Sequence, residues 1–330
     1  MYRDLTQGSI TKGLLLFAAP MVAGNLLQQL YNIADTLIVG QALGRNALAS
    51  VGSAFTLMTF LPSVFLGLSM GAGALFSIYL GRGSRDALRR AVAHAFVLIL
   101  LVTLVLTLTV YLFIGPVLRF LQIPQELYAA MRTYLLIIFA GLDLPFVLGF
   151  GWGVAGAAAS VKIDAFAYLP VQDFGNAFST FVAQNYGAGQ TERLRQGLRQ
   201  ATLVSVCFSC AISALVVLLA QPLMRIFVQA GETEVLAAGV QYLRIEGAFY
   251  AGIGCLFLLY GFYRAVKRPG MSVVLTVISL GTRVALAYAL AGPVGPWGIW
   301  AAIPIGWFLA DAVGYGYYFR RRTRLLAEAS

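Results

Sequence analysis

Charge is what this sequence has least of. Only 11% of its 330 residues are charged: 13 Asp and Glu, 23 Lys and Arg, with a single His besides. Soluble domains carry about 25% charged residues, so a soluble globular protein is excluded. Apolar residues make up 60% of the chain and the mean hydropathy is +0.82. A helical membrane span needs ~20 apolar residues, whereas a transmembrane barrel would show short alternating segments. The apolar runs are long and continuous, so the spans are helices. Cysteine is scarce too. Cys207, Cys210 and Cys255 all lie in apolar runs. The CxxC of Cys207 and Cys210 lacks third and fourth ligands nearby and reads as small helix-packing residues. Also absent are a phosphate loop, an HExxH and any paired His/Cys metal spacing. No catalytic constellation remains and no cofactor is expected. Without a nucleotide-binding motif, any pumping must run on an ion gradient. No cleavable signal peptide is evident, because the polar MYRDLTQGSITKG leads straight into a span.

The apolar segments run at 13–43, 51–80, 91–117, 133–157, 165–187, 198–223, 237–263, 270–292 and 296–319, about nine spans. The net charge of +10 does not point to nucleic acid. Its arginines and lysines sit in short clusters between apolar runs: 82–90, 193–199, 264–268 and 320–324. Such clusters mark cytoplasmic loops facing anionic lipid. That rule puts the N-terminus and 82–90 inside and 118–132 outside. The chain must then reach 190–199, inside, by an odd number of crossings. Only two apolar runs lie between. One segment fails to cross, or the chain lacks spans there. A repeat is also present: GRGSRDALRRA from residue 81 matches GAGQTERLRQG from residue 187, an offset of 106 residues. The offset persists to Pro116 and Pro222. Two parallel repeats are a transporter architecture, with the substrate path between lobes.

Polar residues inside spans are expensive and so informative. Asn25, Gln28, Gln29, Asn32, Asp35 and Thr36 share one face of the first helix. Amides alone serve as interhelical glue, but glue needs no ionisable group. Asp35 therefore reads as a site that binds a proton or Na⁺. Pro20, fifteen residues earlier, lets the helix bend. Asp143 is a second ion-site candidate. Asp173 joins Gln172 and Asn176 in a polar patch that lines a cavity. Arg283, ~20 Å into its span by the rise per residue, needs an acidic partner, and Asp311 is the candidate for a structural pair. His94 reads as a snorkelling or packing residue near a span end.

The stretches PMVAGNLLQQLYNIADTLIVGQALGRNALASVG, YLGRGSRDALRRA, KIDAFAYLPVQDFGNAFSTFVAQNYGAGQTERLRQG and GIWAAIPIGWFLADAVGYGYYF are collinear with one family. By them the sequence resembles the multidrug and toxic compound extrusion (MATE) transporters, most closely the DinF-like bacterial branch. The resemblance implies twelve helices in two six-helix lobes, and export of organic cations or amphipathic drugs in exchange for H⁺ or Na⁺. It implies that Asp35 is the coupling carboxylate, that Pro20 is the bend, and that Asp143 is the carboxylate late in the fifth helix. That helix's Asn-x-x-x-Asp motif is incomplete, because Phe139 stands at the Asn position. Junctions near 141 and 158 remove most of helices six and seven and parts of four and five. The odd loss agrees with the charge parity.

The sequence therefore leads to an all-α polytopic membrane protein with two pseudo-repeated lobes, 1–157 (incomplete) and 158–330. The expected activity is antiport by alternating access in the bacterial inner membrane, as a monomer with both termini cytoplasmic. Asp35 and Asp143 would hold the coupling ion. Asn25, Gln28, Gln29, Asn32, Asp173 and Asn176 would line the cavity. The only metal ion expected is Na⁺ at Asp35. Two alternatives stay open: a flippase for lipid-linked precursors, against which the single deep arginine counts, and a non-transporting remnant or partner-dependent fragment.

Overall fold

The computed structural model describes residues 4–42, 64, 67–120, 128, 132, 155–226 and 233–327; at 28–42, 107, 110, 117, 119, 120, 155–166, 234, 235, 326 and 327 it describes the backbone alone. Every regular element among these residues is a helix. They are α1 (Ile10–Ala42), α2 (Gly67–Gly81), α3 (Arg85–Phe120), α4 (Ala155–Gly187), α5 (Thr191–Arg225), α6 (Thr233–Gly247), α7 (Tyr250–Ala265), α8 (Pro269–Ala291) and α9 (Pro296–Ala327). Helices alone satisfy every backbone donor and acceptor within one segment, as hydrocarbon demands. Among the described residues, α1, α3, α5, α8 and α9 are long and apolar enough to cross a membrane. The α6/α7 pair makes a sixth span if its two parts are taken together.

That pair departs from the single span read at 237–263. The helix breaks between Gly247 and Tyr250 and bends by 52°. Gly247 lowers the local helix preference. Two tight turns carry the chain across: Phe249 donates to the Glu246 carbonyl at 3.1 Å, and Gly252 to the Phe249 carbonyl at 2.9 Å.

Two compact units form, Met1–Leu27 with Gly73–Arg89 and Gly156–Ser330, and Gln28–Ala72 with Arg90–Ala155. In the first unit α4 is central. Phe174, Phe178, Phe181, Val182 and Tyr186 pack against Leu256, Leu259 and Phe262 of α7, Leu194 and Leu198 of α5, and Leu14 of α1. The outside of this unit is apolar as well: Leu203 and Leu218 of α5 are 65% and 77% exposed. A bilayer is the solvent that tolerates such a surface. Cys207 and Cys210 lie on it, contrary to the packing role expected of them, while Cys255 is buried. In the second unit the Tyr128 hydroxyl donates to the Gly115 carbonyl at 3.3 Å, just before Pro116.

The internal repeat is reproduced bond for bond. Gly83 and Gly189, 106 residues apart, have φ of +69° and +70°. Only glycine takes that region without strain. Around them Gly83 N–H donates to Leu80 O (3.0 Å) as Gly189 does to Tyr186 O (3.3 Å). Ser84 donates to Tyr79 O (3.0 Å) as Gln190 does to Asn185 O (2.9 Å), and Leu88 to Ser84 O (3.0 Å) as Leu194 does to Gln190 O (3.1 Å). The two copies also cross each other. A Cβ on Gly81 would strike the Gln184 carbonyl, and one on Gly187 the Ile78 carbonyl. Gly81 and Gly187 are equivalent by the repeat, as are Ile78 and Gln184, so the crossing is pseudo-two-fold.

A Gly81→Ala substitution should therefore cost about 1–3 kcal/mol, the usual toll of overpacking. Gly73 on the same helix has nothing within 4 Å of its Cβ position, and Gly73→Ala should be neutral. Melting of the two variants in detergent checks this. Equal melting temperatures would mean that the crossing accommodates a side chain.

Candidate functional site

The polar stripe of α1 begins at Asn25. Its amide Nδ2 donates to Asp173 Oδ1 at 2.6 Å. Asp173 is only 2% exposed and its Oδ2 has no hydrogen-bond partner. The expected cavity residues Asn25 and Asp173, 148 positions apart in the chain, are thus brought together. Asn176 follows one turn later on α4, half-buried. Beside the bond, an apolar cleft of about 420 Å³ is lined by Val22 and Leu26 of α1, Phe174 of α4 and Phe208 of α5. Gln28, Gln29, Asn32 and Asp35 lie on α1, but their side chains are outside the description. Asp143 lies outside the described residues altogether. Pro20 is exposed, and α1 continues through it as one helix.

The acidic partner of Arg283 differs from expectation. The carboxylate within electrostatic reach is Glu246, which also receives a hydrogen bond from Tyr242. Glu246 is 4% exposed and sits at the α6/α7 break. Asp311, 8% exposed, instead faces Cys255 and Tyr315. Thr202 and the Tyr315 hydroxyl are 3.0 Å apart and share a hydrogen bond. His94 is exposed on α3. Among the described residues no three His, Cys, Asp or Glu side chains form a metal cluster.

Sequence reasoning missed the strap that precedes α1. Leu5, 2% exposed, donates its N–H to Gln184 Oε1 at 2.8 Å. Asn185 Nδ2 donates to the Leu5 carbonyl at 3.1 Å. The Arg193 guanidinium donates to the carbonyls of Gln7 and Gly8, both at 2.9 Å, and to that of Leu5 at 3.2 Å. The Thr6 hydroxyl and N–H, and more weakly Arg193, hold the Asp4 carboxyl below the usual carboxylate range. One signal was legible. The strap-holding Gln184, Asn185 and Arg193 correspond through the repeat to Ile78, Tyr79 and Ala87. The copies diverge where one holds the strap. Strap and glycine crossing lie together in the first unit, beside the basic residues of 193–199.

A helical membrane protein of two crossed repeats, with ionisable side chains held inside, has the architecture of a secondary transporter. The MatE family model matches the chain twice, over residues 20–150 and 152–289. The chain belongs to this family, the multidrug and toxic compound extrusion transporters, and is a transporter rather than an enzyme. The probable multidrug resistance protein YpnP of Bacillus subtilis (strain 168) is 21% identical over 429 aligned residues, covering 96% of each chain. That alignment is longer than the 330-residue chain, so the relative has internal stretches that this chain lacks. A multidrug resistance MATE transporter in its outward-facing conformation superposes with a TM-score of 0.87 at 17% identity, over 99% of this chain and 98% of that one. The MATE transporter ClbM, solved with Rb⁺, gives 0.78 at 20% identity, over 99% of each chain.

Replacing Asn25 by Leu removes the donor from a buried carboxyl, a loss of about 1–3 kcal/mol. Asp173→Asn keeps a carbonyl for Asn25 to bond. Thermal melting should show the first variant clearly destabilised and the second close to the parent. The reverse order would mean that the bond does not hold α1 to α4.

Proposed function

We propose that this chain exports organic cations or amphipathic drugs in exchange for H⁺ or Na⁺, with Asp35 as the coupling carboxylate. The observation that carries the reading is the Asn25–Asp173 bond. It places Asn25, the first residue of the polar stripe, against α4; by helical spacing Asp35 shares the stripe ten residues further along the sequence. A carboxylate beside an apolar cleft suits a molecule with one cationic and one greasy end. The Rb⁺ held by ClbM lends support to an alkali-ion step. Asp143 is the second ion-site candidate, with Gln28, Gln29, Asn32 and Asn176 lining the cavity. The chain works as a monomer in the bacterial inner membrane, with its basic end and both termini in the cytoplasm.

Transport proceeds by alternating access between lobes 1–157 and 158–330. The Gly81/Gly187 crossing and the docked strap close the cytoplasmic end. Protonation or Na⁺ binding at Asp35 favours one arrangement of α1, bent near Pro20. The crossing parts and the strap releases when the site opens inward. Arg193 is the main anchor of the strap, since three backbone carbonyls lean on one guanidinium.

In inside-out vesicles with an imposed ΔpH or Na⁺ gradient, this chain should accumulate a fluorescent organic cation. Asp35→Asn should abolish that uptake, and the gradient that drives it identifies the ion. Undiminished gradient-driven uptake by Asp35→Asn would refute the assignment. The strap is tested separately by a Leu5→Cys variant, whose buried thiol should react slowly with a membrane-impermeant maleimide at the cytoplasmic face. Adding Arg193→Ala should speed labelling ~10-fold, as expected when an anchor worth ~1.4 kcal/mol is lost. An unchanged rate would show that Arg193 does not hold the strap down.

A further inference from the structure

A cavity of about 660 Å³ opens at the basic end between α5 and α9. Arg195 and Arg199 of α5 and Arg322 of α9 line it, with Thr202, Tyr315 and Tyr318. Three guanidinium groups face one lining carboxylate, Glu192. Its contact with Arg195 is a loose 3.9 Å between two side chains that are 60% and 67% exposed, a geometry that contributes little. Among the described residues Arg199 and Arg322 form no ion pair. Their neighbour Arg193 is different, because the strap carbonyls occupy it. Arg195 and Arg322 are both within electrostatic reach of the Tyr318 hydroxyl. The Thr202–Tyr315 bond lies in the wall.

The repeat shows that Arg199 is particular to this copy, while Arg195 has an arginine counterpart in Arg89. Arg199 and Thr202 correspond to Ala93 and Phe96 in the other copy, and Phe96 is 72% exposed. One copy keeps an apolar outer face there, while the other carries a guanidinium eight residues, ~12 Å, into its helix. Arg199 is exposed at the start of the span, within the basic cluster at 193–199, where anionic headgroups lie within reach. The planar, bidentate donors of arginine match phosphate oxygens.

We infer that this cavity is a binding site for a phosphate group, held by Arg195, Arg199 and Arg322. Two sources share the chemistry: the headgroup of an anionic phospholipid, and a soluble phosphate. Basic pockets between membrane helices bind lipid phosphates in this way. The site is separate from the Asn25–Asp173 pair and does not depend on the transport reading.

The test uses the full chain purified in detergent. Retention of phosphatidylglycerol and of phosphatidylcholine is compared by native mass spectrometry, with inorganic phosphate as competitor. The chain should retain phosphatidylglycerol at least ~10-fold better than the triple variant Arg195→Gln, Arg199→Gln, Arg322→Gln, one charge-assisted bond sufficing for that factor. Arg89→Gln, the repeat counterpart of Arg195, lies outside the cavity and should retain it fully. Preferred phosphatidylglycerol that resists inorganic phosphate identifies a lipid headgroup. Displacement by millimolar inorganic phosphate identifies a soluble ligand. Equal retention by the parent and the triple variant, or loss in Arg89→Gln to the same degree, overturns the site. The exposed arginines make misfolding of the triple variant easy to detect, since its melting temperature should match that of the parent.

Discussion

At Gly81 and Gly187 two helices approach so closely that each glycine faces the other helix's carbonyl. No residue with a Cβ could occupy either position without the helices separating. Hydrocarbon offers little driving force for helix association, so packing at close range must supply it. The glycines allow that range. The left-handed turns at Gly83 and Gly189 then fix where α3 and α5 depart. The strap binds Gln184 and Asn185 in the last turn of α4, next to the crossing. One steric allowance thus positions the basic end of the first unit.

The interior polar groups answer a second constraint. An unpaired polar atom away from water costs more than a bond returns. Asp173 is half satisfied by Asn25. Glu246 has Tyr242 and the charge of Arg283. Asp311 keeps one oxygen without a partner. Each of the three carboxylates keeps one buried oxygen without a hydrogen-bond partner. The N-terminal segment meets the same demand differently, since its peptide groups are satisfied by side chains of α4 and α5 rather than by a helix of its own.

Much of this was legible in advance. The long apolar runs gave the helices, because hydropathy and the need for internal hydrogen bonding are local properties. The stripe from Asn25 to Asp35 follows from helical periodicity alone. The repeat was visible in GRGSRDALRRA and GAGQTERLRQG, since a left-handed turn requires glycine at fixed places. The deficit of crossings came from loop charge, and it agrees with an alignment to YpnP that outruns the chain. The misses share one cause. The break at Gly247 lies inside the apolar run 237–263, where Arg244 and Glu246 interrupt the hydropathy too briefly to end a span. The pairing of Arg283 with Glu246 rather than Asp311 depends on how α8 meets α6, which no local pattern encodes.

The sequence by itself determined the solvent, the class of element, the repeat and the carboxylates that must be accounted for. Each of these is set by composition or by spacing within one helix. Tertiary structure decided which side chains meet. Asn25 and Asp173 stand 148 positions apart in the chain, and Leu5 and Gln184 stand 179 apart. Only packing around α4 closes such distances, and the second of them closes beside the glycine crossing, where two backbones touch.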